Sequence, residues 1–336
     1  MAGQQTEWVD FGWQGVSLRI PEDWNLGRVD GDYKSGYVRL DDAEIVRAEI
    51  EWREGRGQGK GRRGIPELVD RYLENLEKKA QKTETPFSVK RRASFLKDKQ
   101  WLEGCDYETF TWEADYRAFN LARACPDCGR IVLLRILGRL DESLEDVVRA
   151  ILPTLEDHPR DDQVFWSIYG LSFFAPADYR LTEHQLKSGH IQLSFEQGKH
   201  VCRVQRLSLA SMLLKNTTLK EWYPVFFKKQ LRDLNCEFFE EEVCGHEGLR
   251  GVGRPRGRWR QLLRPLPLVS PRPRQYLDNR VWHCQASDKI CIVDHLYRKK
   301  AEAGDLAQQV SYGYICHQEQ AKTEPRDHAE FAAGAQ

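Results

Sequence analysis

Apolar and polar residues alternate in two pairs of short segments that lie far apart in the chain. "GVSLRIPEDW", from Gly15, and "GLSFFAPADY", from Gly170, are offset by 155 residues, and each alternation ends at a proline. "SGYVRLDD", from Ser35, and "SGHIQLSF", from Ser188, form a second pair offset by 153 residues. A proline ends a strand because it cannot donate to the next rung of the ladder. The pattern predicts two strands at the start of each half, and an internal repeat.

Each half then continues with an apolar stripe at helical spacing. The first stripe consists of Ile65, Leu68, Val69, Tyr72, Leu73 and Leu76, and the second of Leu219, Trp222, Tyr223, Phe226 and Phe227. Both predict an amphipathic helix. We expect Pro224 to delay or kink the second helix, because proline removes a helical hydrogen bond.

A late hairpin and a closing helix complete each predicted repeat. In the first half, Ser143 to Asp146 is predicted to be an acidic cap ahead of the closing helix. The corresponding helix of the second half is predicted to start near Asp305. Such mixed runs of strands and helices predict an α+β fold, with helices packed on an antiparallel sheet.

The order of these motifs resembles that of the PsbP/DcrB-like domains. The resemblance rests on the opening strand that ends at a proline, the mid-domain amphipathic helix and the late hairpin before a last helix. It implies two tandem repeats, each an antiparallel β-sheet with flanking helices. It also implies a binding, assembly or chaperone-like role, and it brings no catalytic residue set.

The predicted domain organisation follows the repeat. Residues 1–156 form the first repeat, and residues 164–318 form the second with an Arg/Pro-rich insertion. The polar stretch between them is the predicted boundary. Residues 319–336 have the small and polar composition of a disordered tail.

Composition narrows the class of protein. The chain has 336 residues, of which 40% are hydrophobic and 30% charged, as in soluble globular proteins. The net charge is zero, so any polyanion would have to bind a local patch. The first residues lack a signal-peptide pattern, and no apolar run is long enough for a membrane span. We therefore expect a cytoplasmic protein without membrane insertion.

The segment "ACPDCGRIVLL", from Ala124, contains the pair Cys125 and Cys128. The pair has the spacing of half a zinc site, but a structural zinc site needs four ligands and the chain has no second CxxC. The corresponding segment of the second half, from Cys284, has Ser287 and Asp288 where the first has Cys128 and Gly129. A turn that tolerates this replacement needs no metal, so the pair is predicted to lie in a hairpin turn. Zinc bound through Cys125 and Cys128, with His283 and Cys284 as further ligands, is the alternative.

Other cysteines and histidines lie close together in the second half of the sequence. They form the pairs Cys244 and His246, His283 and Cys284, and Cys316 and His317. Thiolate and imidazole together suit zinc. No pair has the spacing of a zinc finger, however, and the sequence favours buried structural side chains.

The segment from Arg250 to Arg274 carries eight arginines and no acidic residue. Its core "GRPRGRW" resembles an AT-hook, which places arginines in the narrow minor groove of DNA. The candidate nucleic-acid-binding residues are Arg254, Arg256, Arg258 and Arg260. An exposed loop without a nucleic-acid partner is the alternative interpretation.

Common catalytic motifs are missing from the sequence. It contains no GxSxG, no HExxH and no GxGxxG between a strand and a helix. The leading hypothesis is therefore a non-enzymatic binding or assembly module with an unidentified protein partner. A nucleic-acid-associated protein is the second hypothesis, and a zinc-binding protein is the third.

Overall fold

The computed structural model describes residues 6–55, 64–159, 161–256 and 274–317. The chain divides into two compact units, Met1–Tyr169 and Gly170–Gln336. The division lies after the boundary predicted from the sequence. The strand that follows this boundary belongs to the first unit, because Ser167 on it pairs with Gly12 on the first strand.

The first unit is built mainly from antiparallel strands. Its strands are β1 (Trp8–Trp13), β2 (Val16–Pro21), β3 (Asn25–Gly31), β4 (Ser35–Asp41), β5 (Val46–Arg53), β6 (Ser88–Arg91), β7 (Asp106–Glu113), β8 (Arg117–Ala124), β9 (Ile131–Gly138) and β10 (Gln163–Ile168). Its helices are α1 (Ile65–Thr83) and α2 (Glu145–Ile151), with 3-10 turns at Gln100–Leu102 and Leu152–Thr154. β1 pairs with β2 on one side and with β10 on the other. The other strands form a seven-stranded sheet in the order β3-β4-β5-β9-β8-β7-β6.

Side chains alternate between the two faces of this sheet, as expected for strands. Val38, Ile50 and Leu134, on three neighbouring strands, are buried on one face. Tyr37, Glu51 and Leu133 lie opposite one another on the other face, in the same three strands. The second face is the one that α1 partly covers.

Helix α1 forms where the apolar stripe predicted it. Pro66 occupies the first turn, where its missing N–H costs no helical bond. Ile65 and Val69 are buried against Phe110, Ala122 and Ala124. The helix therefore packs over β7 and β8.

The second unit contains a sheet with the same relative strand order. Its strands are β11 (Leu171–Pro176), β12 (Arg180–Lys187), β13 (His190–Gln197), β14 (His200–Ser208), β15 (Leu234–Val243), β16 (His246–Pro255), β17 (Tyr276–Cys284) and β18 (Lys289–Tyr297). Its helices are α3 (Ala210–Leu213), α4 (Leu219–Phe226), α5 (Lys228–Leu231) and α6 (Leu306–Tyr312), with a 3-10 turn at Lys300–Glu302. The sheet order is β12-β13-β14-β18-β17-β16-β15.

No helix in the described part of the chain is long and apolar enough to cross a membrane.

Helix starts differ in detail from the sequence expectations. α4 is not delayed by Pro224, because Thr218 and Glu221 form a capping box that fixes its start. The helix ends at Phe226, only two residues after the proline. The predicted acidic cap of α2 does not form, since the Ser143 hydroxyl donates to Glu145 and not to the helix backbone.

Candidate functional site

The Cys125 to Arg130 segment is the turn between β8 and β9, as the sequence predicted. The backbone N–H of Cys125 donates to the carbonyl of Arg130 at 2.8 Å, and that of Gly129 donates back to Cys125 at 3.1 Å. Gly129 has a φ of 71°, a conformation that favours glycine. The turn is therefore closed by its own backbone.

Arg130 extends from this turn into the interior of the first unit. Its guanidinium donates to the carbonyls of Gln14 and Asp157, at 3.1 and 2.8 Å. The aligned residue of the second unit, Lys289, donates to the carbonyl of Gly170 at 3.4 Å. Arg130 thus binds a carbonyl in the turn before β2, and Lys289 binds one in the turn before β11.

Cys125 is buried and Cys128 lies at the surface. Cys125, Asp157 and His158 offer ligand atoms within 4.8 Å of one another, but Cys128 is not in this group. Asp157 also forms an ion pair with Arg123 at 3.3 Å. Zinc binding through Cys125 and Cys128 stays a prediction. Of these two cysteines, only Cys125 belongs to the group with Asp157 and His158.

A larger group of ligand atoms lies in the second unit. We call His246, Cys284, Cys316 and His317 the Cys2His2 cluster, since their ligand atoms all lie within 4.8 Å of one another. His246 begins β16 and Cys284 ends β17. Gly248 pairs with Trp282, so the same register continued by two residues places His246 opposite Cys284.

The other two members of the cluster follow α6. Ile315 forms a β-bridge with Ser172, and its N–H donates to the Ser172 carbonyl at 2.8 Å. This bridge fixes the chain immediately before Cys316 and His317. The cluster therefore joins the segment after α6 to the ends of two sheet strands.

Contacts within the cluster are short. Nε2 of His246 lies 3.1 Å from Sγ of Cys316. Nδ1 of His317 lies 3.3 Å from Sγ of Cys316 and 3.5 Å from Sγ of Cys284. Each sulfur thus contacts an imidazole nitrogen.

Burial changes the protonation of this cluster. Burial, followed by the Cys284 sulfur, raises the pKa of Cys316 to about 12. Burial and the neighbouring His317 and His283 lower the pKa of His246. Both pKa shifts favour the uncharged forms, the Cys316 thiol and the His246 imidazole.

The sequence identified these residues only as separate pairs. The sequence offers Cys284 as a further ligand beside Cys125 and Cys128, whereas the structure groups it with His246, Cys316 and His317. His283 is outside the cluster, and its Nε2 is buried with no hydrogen-bond partner in the described residues. The pairing of β16 with β17 brings His246 to Cys284. The bridge between Ser172 and Ile315 fixes the chain that carries Cys316 and His317.

The candidate nucleic-acid segment is described only in part. Arg254 lies near the end of β16 and pairs with Asn235, and the Nε of Arg256 donates to the Leu234 carbonyl at 2.9 Å. Arg258 and Arg260 lie outside the described residues. Nucleic-acid binding stays a prediction. It predicts binding that weakens steeply with added salt, and substitution of Arg254, Arg256 and Arg258 should remove most of that binding.

A groove lies beside α1 in the first unit. It has a volume of about 520 Å³. Helix α1 packs on β7 and β8, so no helix among the described residues covers the β4 and β5 side of the same sheet face. The groove is lined by Asp30, Gly31, Ser35, Gly36, Tyr37, Glu51, Trp52, Arg53, Ile65, Leu68, Val69, Arg71, Tyr72, Asn75, Phe110, Ala122, Ile131 and Leu133.

The α1 wall of the groove contains the apolar Leu68 and Tyr72 together with Arg71, and the β5 wall is charged. Leu68 and Tyr72, one helical turn apart, are half-buried on the α1 side, and Leu133 is half-buried on the floor. Glu51 and Arg53 lie on the opposite wall. The arrangement can hold apolar side chains against α1 while polar groups of a ligand stay at the charged wall.

Comparisons with known proteins give no family assignment. No protein-family model and no curated protein matches the chain. The immunity protein TplEi of the T6SS from Pseudomonas aeruginosa, complexed with "L" peptide, is 10% identical over 93% of this chain and 99% of that chain, with a TM-score of 0.37. Its apo structure is 10% identical over 93% of this chain and 97% of that one, with a TM-score of 0.36. A likeness of this size does not transfer a function to the chain.

Proposed function

We propose that the chain is a non-enzymatic binding module built from two PsbP/DcrB-like repeats. The groove beside α1 is the binding site, and its ligand is a segment of a partner protein that carries apolar side chains. The groove is the observation that carries this proposal.

Two features support the repeat. The two seven-stranded sheets have the same strand order when the strands of each unit are matched in sequence. Arg130 and Lys289, which the sequence offset aligns, both bind backbone carbonyls near an opening turn. The shared strand order and the matched contact with a backbone carbonyl support the proposal of a repeat.

The chemistry of the groove favours a peptide over a small polar ligand. Leu68, Tyr72 and Leu133 expose apolar surface that a bound side chain would remove from water. Burying one leucine-sized side chain contributes about 1.5–3 kcal/mol. Arg71 and Asn75, exposed on the same helix, extend the groove along α1 for a further turn. A site elongated along a helix suits an extended or helical segment.

A peptide selection tests the proposal. We expect the full chain to select peptides with apolar residues from a random phage-displayed library. Leu68→Asp and Asn75→Trp should weaken binding of a selected peptide about tenfold or more, because a tenfold change corresponds to only about 1.4 kcal/mol. Isothermal titration calorimetry measures the change.

Glu74→Trp is the matched control. Glu74 is exposed on α1 next to Asn75 but does not line the groove, so this variant should bind like the wild type. Equal binding by the wild type, Leu68→Asp and Asn75→Trp would reject the groove as the site. Failure to select any peptide would reject the proposal.

A further inference from the structure

The Cys2His2 cluster has the donor set of a tetrahedral metal site. Zinc binds sulfur at about 2.3 Å and imidazole nitrogen at about 2.0–2.1 Å, so neighbouring ligand atoms lie about 3.3–3.8 Å apart. The nitrogen–sulfur distances of 3.1, 3.3 and 3.5 Å in the cluster are close to these tetrahedron edges. Four donors that converge within 4.8 Å need little movement to bind one ion.

Ordinary hydrogen bonding explains only part of this arrangement. A thiol–imidazole hydrogen bond joins two groups, and it does not require a second thiol and a second imidazole at the same point. Here Nδ1 of His317 lies close to both sulfurs, while Nε2 of His246 approaches Cys316 from β16. Two rings and two sulfurs thus place their ligand atoms within 4.8 Å of one another, as around a shared ion.

The elements that carry the donors also fit a structural site. His246 and Cys284 come from adjacent strands, and Cys316 and His317 come from the segment after α6. Cys284 and Cys316 are buried, whereas the two histidines are half-buried. A closed site with four protein ligands is typical of structural zinc, since catalytic zinc keeps a position open for water or substrate.

We propose that His246, Cys284, Cys316 and His317 bind one Zn²⁺ ion. Two thiolates and two imidazoles favour zinc over magnesium or calcium, which prefer oxygen ligands. The ion fastens the segment after α6 to the ends of β16 and β17. This site is separate from the groove and from the CxxC pair of the first unit.

The experiment measures the metal content of the full chain, expressed with added zinc and purified without chelator. We expect about one zinc ion per chain, as one four-coordinate site requires. The Cys284→Ser, Cys316→Ser double variant should lose it. The Cys125→Ser, Cys128→Ser double variant is the matched control and should keep it.

The half-buried histidines provide variants with less effect on folding. His246→Ala and His317→Ala should each weaken zinc binding about tenfold or more, because even the loss of an outer-shell partner costs 10–100-fold. Wild-type protein loaded with Co²⁺ should show thiolate-to-cobalt charge-transfer bands and the strong visible bands of tetrahedral cobalt. These bands do not depend on the stability of any variant.

Three results would overturn the proposal. The first is wild-type protein that binds no zinc after incubation with excess Zn²⁺, with Cys284 and Cys316 free or joined in a disulfide. The second is zinc that disappears from the Cys125 and Cys128 variant and remains in the Cys284 and Cys316 variant. The third is a cobalt spectrum without thiolate bands.

Discussion

At the scale of single residues, the pair of half-buried His200 and buried His295 predicts a sensitivity to acid. Nδ1 of His200 and Nε2 of His295 lie 3.0 Å apart, and the two rings are stacked. One ring must donate and the other accept, so the hydrogen bond needs an unprotonated acceptor. Burial, followed by the neighbouring His200, lowers the pKa of His295 from 6.5 to about 4.

This depressed pKa predicts a loss of stability in mild acid. The unfolded chain binds a proton at His295 below about pH 6.5, whereas the folded chain resists it until about pH 4. The stabilising contribution is therefore complete above pH 6.5 and is lost as the pH falls towards 4. We expect the wild type to lose on the order of 2 kcal/mol of unfolding free energy through this residue.

Urea unfolding at about pH 7 and about pH 4.5 measures this effect. His295→Gln removes the titrating group, so its unfolding free energy should change less between the two pH values. His184→Gln, at an exposed histidine of β12, should keep the wild-type pH dependence. The same pH dependence in all three proteins would contradict the assignment to His295.

Residue-level chemistry was only partly predictable from the sequence. The repeat offset aligned Arg130 with Lys289, and both bind backbone carbonyls in the structure. The Cys2His2 cluster was not predictable, because its members come from three distant parts of the chain. Local spacing does not contain the β16–β17 register or the Ser172–Ile315 bridge that bring them together.

At the scale of elements, periodicity predicts where helices and strands form. It does not predict how much of the sheet face a helix covers. The apolar stripe of α1 predicts an amphipathic helix, and Leu68 and Tyr72 on this stripe are only half-buried, beside the groove. The stripe shows which side of a helix is apolar. It does not show that the sheet below is wider than the helix that packs on it.

Helix α4 begins at a capping box, although Pro224 lies inside the helix. Thr218 accepts a hydrogen bond from the Glu221 backbone N–H at 3.3 Å, and the Glu221 carboxylate accepts one from the Thr218 N–H at 3.1 Å. These bonds satisfy N–H groups that have no partner within the helix. The "TLKE" spacing is a capping box that the sequence already contained.

We therefore expect Thr218→Ala to lower the unfolding free energy by about 1 kcal/mol. Thr218→Asp should retain most of the stability, since aspartate also caps helices well. Thr217→Ala leaves both bonds of the capping box in place and removes only the Thr217 hydroxyl bond to the Glu221 carboxylate, at 3.2 Å, so it should have a smaller effect. Thermal unfolding monitored by circular dichroism measures the difference, and equal values for Thr218→Ala and the wild type would show that the cap does not stabilise the protein.

At the scale of the whole molecule, two units with the same sheet order carry different chemical features. The first unit has a long α1 and an open groove, whereas α4 of the second unit is short and packs over a buried core that includes Tyr223 and Phe227. The Cys2His2 cluster belongs to the second unit. This division is consistent with a binding role for the first unit and a metal-stabilised structure for the second, as we propose.

Hydrogen–deuterium exchange of the full chain, with and without a peptide selected on it, tests the binding proposal most directly. We predict slower exchange on peptide addition in α1, β4 and β5, which border the groove, and no change in α4. Protection confined to the second unit, or no protection at saturating peptide, would contradict the assignment of the groove as the binding site.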